Sequence, residues 1–337
     1  MASHDEPRVA VDVMGGDQAP EEMVAGALLA IGRGRRVRLV GDSSRIAPLL
    51  SGRGDIEVVH TPDVFPMGAS PASVRRREST SVRVATRLVA EGKAEAVVTC
   101  GNTGAALVGA MLDLGVLDGV ERPALATVLP RSDGGRLVLL DAGANVDCRP
   151  DLLASFAVLG AAQAEQLGIE EPRIGLLSIG EEEGKGNAQV RDALPRLREL
   201  PLNIVGNIEP SAAMSGACDV LVCDGFVGNV LVKAAEGAVS TVGGILRAEI
   251  LRYWSGRVGA FLLRGALERF RERVSWDALG GAQLLGTPGV VVVGHGRSNR
   301  GAVAAAIDMA ARSARSGLPD VVRRRVRELS HSSHADG

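Results

Sequence analysis

The chain has 337 residues, with 38 Lys and Arg against 40 Asp and Glu, a formal net charge of −2, 46% hydrophobic residues and 23% charged ones. That composition excludes a disordered chain, and the lack of a basic excess argues against a nucleic-acid binder. The length fits one large domain or two smaller ones.

Short runs rich in Val, Ile and Leu recur at residues 9–13, 37–40, 56–59, 94–99, 137–140, 174–178, 203–205, 220–223 and 290–293. Most are apolar on successive residues, the pattern of strands covered on both faces. Helical patterns lie between them at 21–31, 81–91, 103–114, 152–167, 188–197 and 299–313. This alternation predicts a three-layer α/β/α fold around a mostly parallel sheet. Residues 122–129 read as a further strand, so the sheet is expected to be mixed. No fixed-period repeat or Pro/Ser linker divides the chain, so 1–337 reads as a single unit. The polar, acidic start fits no signal peptide, and no run of about 18 apolar residues is present to span a membrane. Cys100, Cys148, Cys218 and Cys223 form no metal spacing. The expectation is a cytoplasmic protein with reduced thiols and no bound metal.

Six of the predicted strands run into polar, Gly-containing loops. The first carries Asp12, Gly15, Gly16 and Asp17; the next carries Gly101, Asn102, Thr103 and Gly104. Asn145 follows the strand at 137–140, and Lys185, Gly186 and Asn187 follow the one at 174–178. Asp224, Gly228 and Asn229 follow the strand at 220–223, with Lys233 one helical turn on, and His295 lies between two glycines after 290–293. In open α/β sheets ligands bind beyond the carboxyl ends of the strands. Glycine there lets backbone N–H groups approach a ligand, and the following helix N-terminus favours an anion. The expectation is one anion site built from six loops along one sheet edge.

Other phosphate and cofactor motifs do not fit. No Gly-x-Gly-x-x-Gly follows the first strand. Gly180-Glu-Glu-Glu-Gly184-Lys185-Gly186 is one residue short of a P-loop and has Gly in place of the magnesium-binding hydroxyl. A nucleotide triphosphatase or a nicotinamide enzyme is therefore disfavoured. No Gly-x-Ser-x-Gly elbow marks a serine hydrolase.

Nine stretches run in order from about residue 8 to residue 315. They include Val11-Asp-Val-Met-Gly-Gly-Asp-Gln-Ala-Pro20, Cys100-Gly-Asn-Thr-Gly104, Arg122-Pro-Ala-Leu-Ala126 and Leu140-Asp-Ala-Gly-Ala-Asn145. Ile179-Gly-Glu-Glu-Glu-Gly-Lys-Gly-Asn187, Gly206-Asn-Ile-Glu-Pro210, Cys223-Asp-Gly-Phe-Val-Gly-Asn229, Gly280-Gly-Ala-Gln-Leu-Leu-Gly286 and Gly294-His-Gly296 complete the set. Together they closely resemble the bacterial phosphate acyltransferase of phospholipid synthesis, the PlsX family. The departures are mild: Arg75-Arg-Arg-Glu-Ser-Thr80 varies a family run, and Gln283 replaces a usual Pro.

The resemblance implies transfer of a long acyl chain from the thioester of acyl carrier protein to inorganic phosphate. The acyl phosphate then serves a membrane acyltransferase. It also implies an isocitrate/isopropylmalate dehydrogenase-like fold, shared with phosphotransacetylase, of two intertwined subdomains on one mixed sheet. A homodimer and the absence of a cofactor are implied as well.

Phosphate attack on a thioester needs an anion site, oxyanion stabilisation and close positioning of the reactants. Asn102, Asn145, Asn187 and Asn229 are candidate neutral donors. Only three of the 38 basic residues are lysines, and Lys185 and Lys233 fall in or just after these loops. Lys93, the third, reads as a solvated turn. Catalytic candidates are Lys185, Asn229, Lys233, Asp224 and His295; the remaining loop residues are candidate substrate contacts. Asp224 reads equally as a helix N-cap and His295 as a structural histidine. Cys100 and Cys223 raise an acyl-cysteine route, but neither has a His–carboxylate partner by spacing. Direct attack by phosphate is expected.

Residues 236–275 read differently. Val239, Val242, Leu246, Ile250 and Tyr253 step by three or four, as do Val258, Phe261 or Leu262, Ala266, Phe270 and Val274. This predicts a protruding amphipathic helical hairpin joined at Gly256. Tyr253, Trp254, Phe261, Phe270 and Trp276 make five of the chain's eight aromatics, and seven Arg against three Glu give residues 245–275 a net charge of +4. Such a surface suits an anionic membrane, a membrane acyltransferase or the acidic carrier protein, so peripheral membrane association is expected. Core packing or a dimer interface is the other reading. A phosphotransacetylase using acyl-coenzyme A and a non-catalytic carrier-protein or membrane adaptor are the rival functions.

Overall fold

The computed structural model describes residues 6–274 and 280–332; the side chains of 270–274 and 329–332 lie outside that description, as does Trp276. The expected strands form as β1 (Arg8–Asp12), β2 (Arg36–Gly41), β3 (Glu57–His60), β4 (Ala96–Thr99), β5 (Ala124–Pro130), β6 (Arg136–Leu140), β7 (Ile174–Leu177), β8 (Ile204–Ile208), β9 (Val220–Val222) and, after a further strand β10 (Ala282–Leu285), β11 (Val290–Val293). The expected helices form as α1 (Glu21–Gly32), α3 (Ser81–Ala90), α4 (Thr103–Asp113), α5 (Pro150–Gln166), α6 (Ala188–Arg198) and α11 (Arg300–Arg315). Two short helices, α2 (Ser43–Ile46) and α7 (Pro210–Met214), sit in connections.

Besides these, a strand and a long helix escaped the sequence reading. β10 follows Gly280-Gly281 and has only two strongly apolar residues, so it reads as a loop. It becomes a strand by running antiparallel between β11 and β5, with Ala282 opposite Val293 and Leu285 opposite Ala124. Helix α12 (Leu318–Ser332) is rich in Arg, but Leu318, Val322 and Val326, spaced by four, form a stripe buried in the α5 cluster.

Among the described residues the strands form one sheet in the order β3-β2-β1-β4-β11-β10-β5-β6-β9-β7-β8. The expected mixed, mostly parallel sheet is present: β10 and β5 are the points of reversal. β5 joins the two halves, its first residues bonding to β10 and its last to β6. Helices cover both faces. One cluster sets Phe156 of α5 against β6, β9 and β7, and another sets α1 and α11 against β1, β4 and β11. Burying a side chain such as Phe156 contributes about 2–3 kcal/mol.

The expected hairpin is three helices: α8 (Gly225–Arg252), α9 (Trp254–Leu262) and α10 (Arg264–Val274). The first break falls at Tyr253, whose backbone is extended (φ −114°, ψ 152°), and not at Gly256. Gly256 lies inside α9, where a Cβ would stand 1.9 Å from the Ile250 carbonyl oxygen. Glycine serves there for close approach of the two helices, not for a turn. The Arg257 guanidinium donates to the Leu251 carbonyl at 3.2 Å and satisfies one of the open groups at the end of α8. From Asn229 to Arg269 no residue is buried. Trp254 is 79% exposed, Leu262 76% and Phe261 68%, so the described part of the apolar faces predicted from the sequence is left open to solvent. No helix among the described residues is long and apolar enough to cross a membrane.

Candidate active site

Strand direction divides the six loops. β10 runs against both β11 and β5, and β6 runs against β5, so β6, β9 and β7 point opposite to β1, β4 and β11. Three loops therefore leave the sheet at one edge and three at the other. The expectation of six loops on one edge is corrected. A run of buried apolar residues marks a strand but carries no sign of its direction.

At the first edge the loops close on each other. Asp12 is buried; Thr99 Oγ1 donates to its carboxylate at 2.7 Å and the Met14 amide at 3.1 Å. Burial nevertheless holds this carboxyl above its ordinary range. A Cβ on Gly15 would lie 2.8 Å from both Asp12 Oδ2 and the Gly101 nitrogen, and one on Gly104 would overlap Pro71. The Asp17 amide donates to the Gly296 carbonyl at 2.8 Å. Asn102 caps α4, accepting from the Ala105 amide, and donates to the carbonyls of Met67 and Ala69. Its side-chain amide is committed to holding the loop. Thr103 opens α4 here, and His295 is exposed at this edge.

At the second edge four segments converge. Asp141, just after β6, is fully buried, and the amides of Leu125, Gly143, Ala144 and Asn145 donate to its carboxylate at 2.7–3.1 Å. Burial holds its carboxyl above the usual range despite these bonds. Asn145 donates to Pro123 O at 2.9 Å and to Asp141 Oδ2 at 2.8 Å, so both its amide hydrogens are spent and it positions the loop. The Gly225 amide donates to Asn145 O at 2.7 Å, and a Cβ on Gly143 would meet Asn229 Cβ at 3.4 Å. Gln189 of α6 donates to the Cys148 carbonyl at 2.7 Å and joins the Lys185 loop to the same block. Asp224 accepts from the Val227 amide at 2.8 Å, which is the N-cap reading. Asn187 likewise caps α6 through Val190, within a turn that holds Gly186 at φ +96°.

The charged candidates differ from these scaffold groups. Lys93 pairs with Glu91 at 2.6 Å, as a solvated turn does. Lys185 and Lys233 make no ion pair among the described residues, and the Asn229 amide makes no hydrogen bond there. These three are free to meet a ligand. The thiols are not: burial pushes Cys100, Cys148 and Cys218 up to about 12, and Cys223 well above its ordinary value. A buried thiol is a poor nucleophile. Among the described residues no group of three or more His, Cys, Asp or Glu is placed to hold a metal ion.

The family model described as "Fatty acid synthesis protein" matches residues 7–321. Relatives named phosphate acyltransferase align nearly end to end. The Desulforudis audaxviator protein is 46% identical over 92% of this chain and 93% of its own, and the Thermus thermophilus protein 45% identical over 96% and 99%. The chain belongs to this family.

Solved structures extend the likeness to fold. A phosphotransacetylase from Streptococcus pyogenes superposes with a TM-score of 0.60 at 18% identity, covering 92% of this chain and 94% of its own. A branched-chain phosphotransacylase from Enterococcus faecalis gives 0.57 at 16%, covering 91% and 99%. Asp141, at the centre of the second edge, was not singled out from the sequence. Its signal was present: a carboxylate ending an apolar run, followed by a short stretch of small residues able to turn their amides back to it.

Proposed function

We propose that the second edge is the active site of a phosphate acyltransferase, which moves a long-chain acyl group from acyl carrier protein to inorganic phosphate for phospholipid synthesis. The observation that carries this reading is the grouping of unpaired Lys185, Lys233 and Asn229 around loops fixed by Asp141. A phosphate oxygen attacks the thioester carbonyl carbon and forms the C–O bond. The oxyanion is held by Asn and Lys donors, the C–S bond breaks, and the carrier thiolate leaves with the electron pair. A thiolate is a good leaving group, so the site's task is positioning and charge stabilisation. Lys185 and Lys233 suit this as flexible point charges. Asp224 caps α8, and Gly186, Asn187 and Gly228 shape the surrounding loops. Asp12, Gly15, Gly16, Asp17, Gly101, Thr103, Gly104 and His295 belong to the scaffold of the other edge in this reading.

In the same proposal the chain is a single α/β/α unit of two intertwined subdomains. The helices across 236–275 form its docking surface, a homodimer contact along α8 and a peripheral contact at α9 with an anionic membrane or a membrane acyltransferase. The exposed Tyr253, Trp254, Phe261 and Leu262 among arginines support this. Incubation with palmitoyl-acyl carrier protein and phosphate tests the reaction. Acyl phosphate and free carrier are expected, with kcat lowered about 10²–10³-fold by Lys185→Ala or Asn229→Ala. Activity only with acyl-coenzyme A, or full activity in both variants, refutes it.

A further inference from the structure

Arg122 lies in a motif that the fold has not otherwise used. The segment just before and into β5 runs along the loop after β6, tied to it at four points. The Glu121 carboxylate accepts from Arg149 at 2.7 Å, the Pro123 carbonyl accepts from Asn145 at 2.9 Å, and Leu125 bonds the loop twice, through Asp141 and through Ala142. Arg122 stands between these ties, so its main chain is fixed beside the block that presents Asn229. Its side chain is exposed and makes no ion pair or hydrogen bond among the described residues. Its charge is felt at Cys148, whose thiol burial, Asp141 and Asp224 push up and Arg122 lowers slightly.

The neighbouring Arg149 is used differently: it is paired to Glu121. Arg122 thus differs from Arg149 in its uncommitted guanidinium. A planar guanidinium matches two oxygens of a phosphate at once, which a lysine cannot do.

We infer that Arg122 is a phosphate-binding residue of this site, a bidentate clamp on the attacking inorganic phosphate that complements the point charges of Lys185 and Lys233. The inference rests on the active-site reading above. It assigns Arg122 to the acceptor and not to the acyl donor, which a merely structural arginine would not distinguish.

Initial rates of Arg122→Gln and Arg122→Lys, measured separately against phosphate and against palmitoyl-acyl carrier protein, test it. For Arg122→Gln the KM for phosphate is expected to rise about tenfold or more. The KM for the acyl carrier protein substrate should change less than about threefold, and Arg122→Lys should recover part of the phosphate affinity without its bidentate geometry. An unchanged phosphate KM in Arg122→Gln, or equal rises in both KM values, overturns it. Lys185→Ala run in parallel separates the outcomes. If Lys185→Ala loses activity while Arg122→Gln is silent, only the Arg122 inference fails. If neither variant matters, the site itself lies elsewhere. Unchanged thermal melts of the Arg122 variants confirm that the kinetics are read on folded protein.

Discussion

A Cβ added to Gly228 would stand 1.9 Å from the carbonyl oxygen of Asp141. The first turn of α8 therefore rests directly on the main chain of the loop after β6, and Asn229 is set by that contact. Gly228→Ala must push α8 away from backbone that cannot yield. Activity is expected to fall by two orders of magnitude or more, with a lowered melting temperature. Gly237→Ala is the matched control, because a Cβ there meets nothing within 4 Å. In the same helix it should be neutral or stabilise by up to about 1 kcal/mol.

The thiols should be silent in the native protein. With Cys100, Cys148 and Cys218 held at about 12 and Cys223 higher still, less than about 1% of each is thiolate at pH 8. An aromatic disulfide reagent is expected to react only after denaturant is added. No radiolabelled acyl group should remain on the protein after turnover, and Cys100→Ala should keep its activity within about tenfold. Label on Cys100 or Cys223 would replace direct attack by a two-step route.

Acid should remove one specific contribution to stability. Burial pushes the Asp219 carboxyl up, but hydrogen bonds from the Arg173 side chain and backbone and from Arg131 outweigh it and hold it at about 2. A carboxyl lowered from 3.8 to about 2 contributes stability that is present above its unfolded value and lost as pH falls through its folded one. Discounted for solvent screening, the contribution is on the order of 1–2 kcal/mol at neutral pH. Urea unfolding should show Asp219→Asn destabilised by about that much at pH 7, with the gap closing between about pH 4 and 2.

Membrane contact is read from flotation. Phe261 and Leu262 are exposed on α9, and Arg264 stacks on the Phe261 ring at 5.4 Å. Phe261→Glu/Leu262→Glu is expected to abolish flotation with anionic vesicles while leaving acyl phosphate formation in solution within about twofold. Equal flotation of the variant and the wild type would leave these helices to dimerisation alone.

The sequence made the layers of this fold legible because buried strands and amphipathic helices each impose a period on their residues. β10 was illegible because its strand state comes from β11 and β5 on either side, not from its own residues. Direction was illegible for the same reason, and that is why all six loops read as leaving one edge. Within the site, lysine scarcity pointed to Lys185 and Lys233. Residue type alone could not separate Asn229, which is free, from Asn145 and Asn102, whose amides are spent on Asp141, Pro123, Met67 and Ala69. Only the partners decide which amide is left for a ligand.

The order of the strands has a consequence for synthesis on the ribosome. β6, β7, β8 and β9 with α5 and α6 are all complete by residue 222, so that half of the sheet can assemble from contiguous chain. β1 and β4, made earlier, lack β11 and the cover of α11 until residue 315 has emerged. Both halves therefore wait for the end of the chain, β4 for β11 and α11 and the α5 cluster for the Leu318, Val322 and Val326 face of α12, and a nascent chain stopped before residue 282 would leave the edge of β4 open to solvent.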